Sequence, residues 1–238
     1  MILKVNNLNK QYQKAGRGVH ALDNISFEVK KGDFVTITGP SGSGKTTLLL
    51  SLAGLIKTTS GEIYFNDFRI DNANDRHLSD FRKNHVGFVM QSFALIPYLT
   101  ALENVMLPLA ISKFSKKDKI KKANALMELV CLEDRKKHYP RELSAGQQQR
   151  VAIARALINE PDLILADEPT GNLDPSLSSE ILNLLKKINR EKGMTIVMVT
   201  HSPQAAEYGT MKIHLIDGKI ETLHHNPKIE MSQLNLVN

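Results

Sequence analysis

Gly39-Pro40-Ser41-Gly42-Ser43-Gly44-Lys45-Thr46 decides how the rest of the chain is read. The preceding Asp33-Phe34-Val35-Thr36-Ile37-Thr38 is apolar and β-branched, which predicts a strand. Thr47 to Ile56 predicts a helix. Strand, glycine-rich turn and helix, with G-x-x-x-x-G-K-T in the turn, make a phosphate-binding loop. Glycines let the backbone turn tightly enough for successive N–H groups to face phosphate oxygens. The helix start adds unpaired N–H groups and the positive end of its dipole. Lys45 can set a positive charge against the β- and γ-phosphates, and the Thr46 hydroxyl can ligate Mg²⁺. A chance match would not carry a strand and a helix in the right places.

The chain has 238 residues and 42% hydrophobic content, which suits one α/β domain, with or without an insertion. The apolar run Leu48 to Ile56 falls far short of the ~18 residues of a membrane span. The start, Met-Ile-Leu-Lys-Val-Asn-Asn, has no secretory pattern. These features predict a soluble chain. A single cysteine, Cys131, excludes an internal disulfide and fits a reducing compartment. Its neighbours Leu129, Val130 and Leu132 predict a buried structural thiol.

The formal net charge of +6 admits nucleic acid, an anionic membrane surface, or plain solubility as readings. The densest basic run, Lys113 to Lys122, holds six lysines and one acid, Asp118. Ser115 and Asp118 form a helix-start pattern. Ile120, Ala123, Met127 and Val130 then fall at helical spacing, so the lysines take the solvated face. A membrane-facing patch is the alternative.

From the N-terminus, residues 2–8 alternate and predict a strand. Tyr12 offers an aromatic face for a base to stack on, although most tyrosines simply pack. A polar loop, Gln13 to Gly18, leads to a strand over Ala21 to Val29. After the phosphate loop and its helix come a turn at Thr58–Gly61, a short strand at Glu62–Asn66 and a polar stretch over 67–84. Val86 to Met90 is a strand ending at Gln91. The segment Ser92-Phe93-Ala94-Leu95-Ile96-Pro97-Tyr98-Leu99-Thr100 is apolar but broken by Pro97. It either tucks into a core or presents Phe93, Leu95, Ile96 and Leu99 as a docking surface. Residues 101–140 read as helices: Ala101–Leu107, Ser115–Leu132 and a short one before Tyr139. They form a helical insertion.

Leu143-Ser144-Ala145-Gly146-Gln147 opens a helix over Gln148–Ile158. Small residues at a helix start suit an anion, although an N-cap at Ser144 explains them equally well. Asp162-Leu163-Ile164-Leu165-Ala166 is a buried-type strand that exits into Asp167-Glu168-Pro169-Thr170. Asp167 can hold Mg²⁺ through its water shell, and Glu168 can polarise an attacking water. A helix over Ser178–Glu191, a strand over Met194–Thr200 and His201 follow. His201 is either structural or in reach of a γ-phosphate. Lys212–Glu221 is a hairpin about Asp217-Gly218. The polar residues 222–238 read as a loose tail.

Taken together, these motifs resemble the ATP-binding cassette (ABC) family over nearly all of 1–221. Gln91 looks like that family's glutamine switch, and Leu-Ser-Ala-Gly-Gln at 143–147 looks like its signature. Asp167-Glu168, Asn172-Leu173-Asp174 and His201 follow in the family's order. Ala145 departs from the commoner glycine. The resemblance implies a RecA-like P-loop NTPase core, an N-terminal antiparallel β subdomain and an α-helical subdomain near 92–158, followed by a 222–238 tail. It implies an ATPase using ATP and Mg²⁺. Its catalytic residues would be Glu168, His201, Gln91 and Lys45, with Thr46, Gln91 and Asp167 at the metal. Nucleotide contacts would come from Tyr12, Gly39, Pro40, Ser41, Gly42, Ser43, Gly44, Lys45, Thr46 and Thr47. Ser144, Ala145, Gly146, Gln147 and Asp174 would add to them.

The resemblance further implies two copies sandwiching ATP head to tail, on the cytoplasmic face of the inner membrane. A transmembrane permease would tether them as peripheral subunits, with no nucleic acid involved. The stretches 99–105 and 166–174 look like the lipoprotein-releasing, macrolide-exporting and cell-division branch, where ATP hydrolysis drives export or mechanical transmission. Two rival readings stand beside this one. A soluble cassette acting on nucleic acid or ribosomes has only the basic charge in its favour. A non-enzymatic nucleotide module conflicts with Glu168 and His201.

Overall fold

Leu163-Ile164-Leu165-Ala166 shows why this chain needs two cores. In an extended strand successive side chains point to opposite faces. Leu163 and Leu165 belong to one buried cluster, Ile164 and Ala166 to the other, and all four are fully buried. A strand apolar on both sides must be covered on both sides. The rest of the fold supplies the two covers.

The structure is a computed structural model that describes residues 1–14 and 17–225. In chain order its elements are β1 (Leu3–Lys14), β2 (Arg17–Val29), β3 (Phe34–Thr38), α1 (Lys45–Leu52), β4 (Ser60–Phe65), β5 (Phe68–Arg69), α2 (Asp75–His85) and β6 (Val86–Met90). Then follow α3 (Ala101–Met106), α4 (Lys116–Leu129), α5 (Ala145–Leu157), β7 (Leu163–Asp167), α6 (Pro175–Lys192), β8 (Thr195–Val199), α7 (Pro203–Ala206), β9 (Met211–Ile216) and β10 (Lys219–His225). One sheet runs β10-β9-β3-β8-β7-β6, parallel except for the antiparallel edge strand β10. The other runs β2-β1-β4-β5 and is antiparallel throughout.

On one face of the parallel sheet lie α1, α2 and the antiparallel sheet, with Leu48, Leu49 and Leu52 under Val35, Ile37 and Val199. On the other face lie α3, α4, α5 and α6, with Val151 and Ile153 over Phe34, Ile196 and Met198. The stretch 101–140 holds no strand, as its sequence predicts. This is the α/β architecture, with antiparallel and helical parts, that the sequence predicts.

Several details differ from the sequence reading. Most of the Gln13–Gly18 stretch is paired strand, with Gln13 opposite Gly18 and Lys14 opposite Arg17; residues 15 and 16 lie outside the described residues. The helix after the phosphate loop starts at Lys45 and stops at Leu52, because Gly54 takes φ 60 and turns the chain. Cys131 is exposed, not buried. It sits two residues past the last residue of α4, just after the C-cap Val130, at φ 56, its N–H donating to Glu128 O at 2.9 Å. That left-handed step swings its side chain off the apolar face while Val130 and Leu132 stay buried. The hairpin strand β10 runs to His225, into the stretch read as tail; residues 226–238 lie outside the described residues.

The lysine run forms the helix its sequence predicts, with its lysines off the buried face. Ser115 caps α4 by accepting from Asp118 N at 3.2 Å, Ala123, Met127 and Val130 are buried, and Lys113, Lys116, Lys117 and Lys121 are exposed. The 92–100 segment divides between its two readings. Leu95 packs against the helical-side core, Phe93, Ile96 and Leu99 are half-buried, and Tyr98 stands 77% exposed.

Candidate nucleotide site

The site lies at the carboxyl ends of β3, β7 and β8, where open parallel sheets bind ligands. β3 delivers the loop 39–46 directly into α1. Gly44 precedes α1 at φ 97, and a Cβ there would lie 2.1 Å from Ala21 O. A Cβ at Gly39 would lie 2.1 Å from Leu215 O. Those two glycines are therefore required by the protein's own backbone packed behind the loop. Gly42, at φ 80, meets nothing within 4 Å and needs glycine for its conformation alone. Pro40, Ser41 and Gly42 are exposed, while Ser43 is buried and its Oγ makes no hydrogen bond among the described residues. An orphaned buried hydroxyl in a ring of backbone donors marks a cradle built for an acceptor-rich ligand.

Lys45 is 8% exposed and curls back over the loop, donating to Gly39 O at 2.9 Å and Pro40 O at 2.8 Å. Thr46, next in α1, donates from Oγ1 to Asp167 Oδ1 at 3.3 Å. This is a pair of hard oxygen ligands at the foot of the loop, a donor set that suits Mg²⁺. Burial pushes the Asp167 carboxyl up; the Thr46 hydroxyl opposes this, Glu168 adds to it and Lys45 opposes it. Thr47 is half-buried within α1.

Glu168 leaves β7 at φ 44, a left-handed conformation that costs a non-glycine residue about 1–2 kcal/mol. Its N–H donates to Val199 O at 3.0 Å, and its Oε2 lies 2.8 Å from His201 Nδ1. The kink aims the carboxylate away from the strand axis and at the end of β8. A cavity of about 440 Å³ opens beside this pair, lined also by Thr170, Ser178, Thr200 and Tyr208. It lies towards α6 and α7, and residues 39–47 do not line it.

Gln91 follows β6, which pairs with β7 up to Met90 opposite Asp167. Its Nε2 donates to Asn172 Oδ1 at 3.3 Å, and Asn172 Nδ2 returns a bond to Gln91 O at 3.0 Å. Any Cβ at Gly171 would come within 2.6 Å of Gln91 Nε2. Lys45, Thr46, Asp167, Glu168, His201 and Gln91 thus gather around the ends of adjacent strands.

The other residues singled out from sequence stand apart from this group. Tyr12 sits on β1, 42% exposed, with Lys10 Nζ 4.7 Å from its ring centroid. Ser144 is exposed and caps α5: its Oγ accepts from Gln147 N, and Gln147 Oε1 accepts from Ser144 N. Ala145 and Gly146 form the first turn, with Gly146 packed so that a Cβ would touch Leu177 at 3.0 Å. Asp174 Oδ1 caps α6, accepting from Ser176 N and Leu177 N.

Sequence reasoning missed three polar residues that hold the backbone beside the site, two of them buried and one half-buried. Gln149, fully buried in α5, donates to Pro169 O at 2.6 Å and so braces the turn after Glu168. The signal was available: 149, 152, 153 and 156 share one helix face, and a glutamine among apolar residues there must have a partner. Asn104, fully buried in α3, accepts from Ile96 N and donates to Ile96 O, Leu99 O and Thr100 O. It orders the proline-broken segment that has no regular structure of its own. Arg155 in α5 donates to Phe93 O at 2.8 Å and to Ala94 O. Burial pushes its guanidinium down from the usual arginine value.

With this geometry established, comparison with known proteins is direct. The sequence profile of the family described as ABC transporter matches residues 22–171. An ABC transporter ATP-binding protein of Methanocaldococcus jannaschii is 46% identical over 224 residues, covering 92% of this chain and 95% of that protein. The lipoprotein-releasing system ATP-binding protein LolD of Francisella tularensis subsp. holarctica is 44% identical over 222 residues, 93% of this chain and 96% of that protein. Among solved structures, a dimeric, post-hydrolysis ATP-binding cassette bound to ADP and Pi superposes with a TM-score of 0.87. It is 43% identical, over 95% of this chain and 99% of that one.

Proposed function

The chain belongs to the ABC transporter family, and we propose that it powers a separate membrane permease of the exporting, lipoprotein-releasing or force-transmitting kind. It is an ATPase that uses ATP with Mg²⁺. No helix among the described residues is long and apolar enough to cross a membrane. In this reading it works as a peripheral subunit on the cytoplasmic face of the inner membrane, held there by the permease.

One observation carries the proposed mechanism. The phosphate loop and the Glu168–His201 pair share one region of the molecule, while Ser144, exposed at the start of α5, makes only local polar contacts. One copy of the chain therefore offers half of two different sites. Two copies, head to tail, bring the Ser144–Gln147 turn of each to the phosphate loop of the other. Ser144 Oγ and the free N–H groups of that first turn suit the γ-phosphate.

Within each site, Gly39–Thr47 hold the phosphates and Lys45 sets its charge against the β- and γ-groups. Tyr12 stacks on the base. Thr46, Asp167 and Gln91 would hold Mg²⁺, which would neutralise charge on the phosphates. Glu168 accepts a proton from the attacking water, and His201, 2.8 Å away, orients that carboxylate. Asp174 acts by capping α6, which fixes the turn between Glu168 and that helix. Support for the branch comes from the match to LolD and from the stretches 99–105 and 166–174. Co-expression with the permease encoded beside this chain, followed by pull-down and by ATPase assay with and without it, tests the proposal. A chain that purifies with RNA or ribosomes and ignores the permease overturns it.

A further inference from the structure

Immediately after Gln91 the backbone does something costly. Phe93 and Ala94 are consecutive L-residues in the left-handed region, at φ 58 and φ 50. Left-handed conformations occur as isolated residues and favour glycine or asparagine. Ser92-Phe93-Ala94-Leu95 contains neither. Local bonding is slight: Phe93 N–H reaches Met90 O at 3.3 Å and Ala94 N–H folds onto Ser92 O at 2.6 Å. Strained pairs persist only where their surroundings over-determine them.

Among the described residues, one side chain bonds to both carbonyls of the pair. The planar fork of Arg155 takes both carbonyls of the pair, Phe93 O through Nη2 at 2.8 Å and Ala94 O through Nη1. Both carbonyls face the same guanidinium, which presents two donors at fixed spacing to match them. Arg155 belongs to α5, whose first turn is Ala145-Gly146-Gln147. From the same helix Gln149 reaches Pro169 O, next to Glu168. One rigid helix thus grips the backbone beyond Gln91 and the backbone beyond Glu168.

We propose that Arg155 is a positioning residue for ATP hydrolysis: by locking Phe93–Ala94 it sets the direction of the Gln91 carboxamide and ties it to the helix that begins at Ser144. This rests on the reading that Gln91 faces Mg²⁺ and the γ-phosphate. Movement of α5, when its start engages the partner's nucleotide, then reaches Gln91 of its own chain through Arg155.

The test uses the full chain, with ATPase rate measured against Mg²⁺ concentration at saturating ATP and Tm measured without nucleotide. Groups that orient metal ligands from behind change activity or metal affinity by about 10–100-fold when removed. Arg155→Met should lower kcat by about tenfold or more and raise the half-saturating Mg²⁺ several-fold. Ala94→Gly alone should leave the rate unchanged. Combined with Arg155→Met it should recover much of the loss, because glycine adopts the left-handed turn unaided. Arg155→Lys, a point charge in place of a fork, should be intermediate, and it replaces Arg155→Met if that variant does not fold. Normal kcat and Mg²⁺ dependence in Arg155→Met, with Gln91→Ala impaired, overturns the inference and spares the reading of Gln91. A loss that Ala94→Gly does not relieve also overturns it. Normal behaviour of Gln91→Ala sinks the reading of Gln91 and the inference with it.

Discussion

Lys45→Met separates the loop-holding bonds of Lys45 from the phosphate contact proposed for it. Methionine keeps the buried stem and removes the ammonium, so packing around α1 changes little. The ammonium donates to Gly39 O and Pro40 O, both at normal hydrogen-bond length, from a position only 8% exposed. A hydrogen bond to a charged group contributes about 1.5–3 kcal/mol. Immobilising the lysine side chain costs about 2 kcal/mol. The two carbonyls, at the exposed loop, regain water when the ammonium goes. For the two bonds, less the ordering cost, the net loss is then about 1–4 kcal/mol, or roughly 2–16 °C in Tm for a chain of this size. In the proposed contact the ammonium exchanges two carbonyls for phosphate oxygens, so only the difference appears as affinity. We expect ATP to bind about 10–100-fold more weakly, which is about 1.4–2.8 kcal/mol. Differential scanning calorimetry and nucleotide titration read the two effects separately. An unchanged nucleotide-free Tm refutes the loop-holding role, and an unchanged affinity refutes the phosphate contact.

Glu168→Gln should slow hydrolysis by about 10²–10⁴-fold, the usual contribution of a general base. ATP binding should survive, and the variant should elute as a dimer with Mg-ATP; normal turnover would remove Glu168 as the base. Gly44→Ala should abolish ATP binding and lower Tm, since its Cβ would fall 2.1 Å from Ala21 O at φ 97; wild-type affinity by titration would contradict the loop geometry. Mixing inert Lys45→Ala and Ser144→Arg chains should restore part of the ATPase activity by forming one intact composite site, and an inactive purified heterodimer would refute the sandwich. Tyr98→Asp, at an exposed position, should leave Tm and isolated ATPase rate unchanged but weaken permease pull-down. Leu95→Asp should lower Tm by burying a charge against the helical core, and the reverse pattern would show that the two roles are exchanged.

How much was legible in the sequence depended on how local each cause was. The phosphate loop was legible because its constraint is written in consecutive residues: a β-branched strand, glycines, Lys45, Thr46. Asp167 and Glu168 were legible because a strand apolar on both faces that ends in two acids has few uses. The caps at Ser115 and Ser144 followed from side chains that bond within three residues. The hidden causes were long-range. Why Gly44 must be glycine depends on Ala21 O, and why Gly39 must be glycine depends on Leu215 O. Cys131 looked buried because its neighbours are apolar, but one left-handed step past α4 reversed its side chain.

The 92–100 segment marks the boundary most sharply. Its sequence offered two readings, core and surface, with no means of choosing. Tertiary structure divided it: Leu95 goes to the core and Tyr98 to the surface. The division is made by Asn104 and Arg155, which bond to backbone carbonyls of this segment from two different helices. Periodicity reports which side chains seek an apolar partner. It carries no information about carbonyl and N–H groups outside helices and strands, and where those find partners is settled only when distant parts of the chain meet.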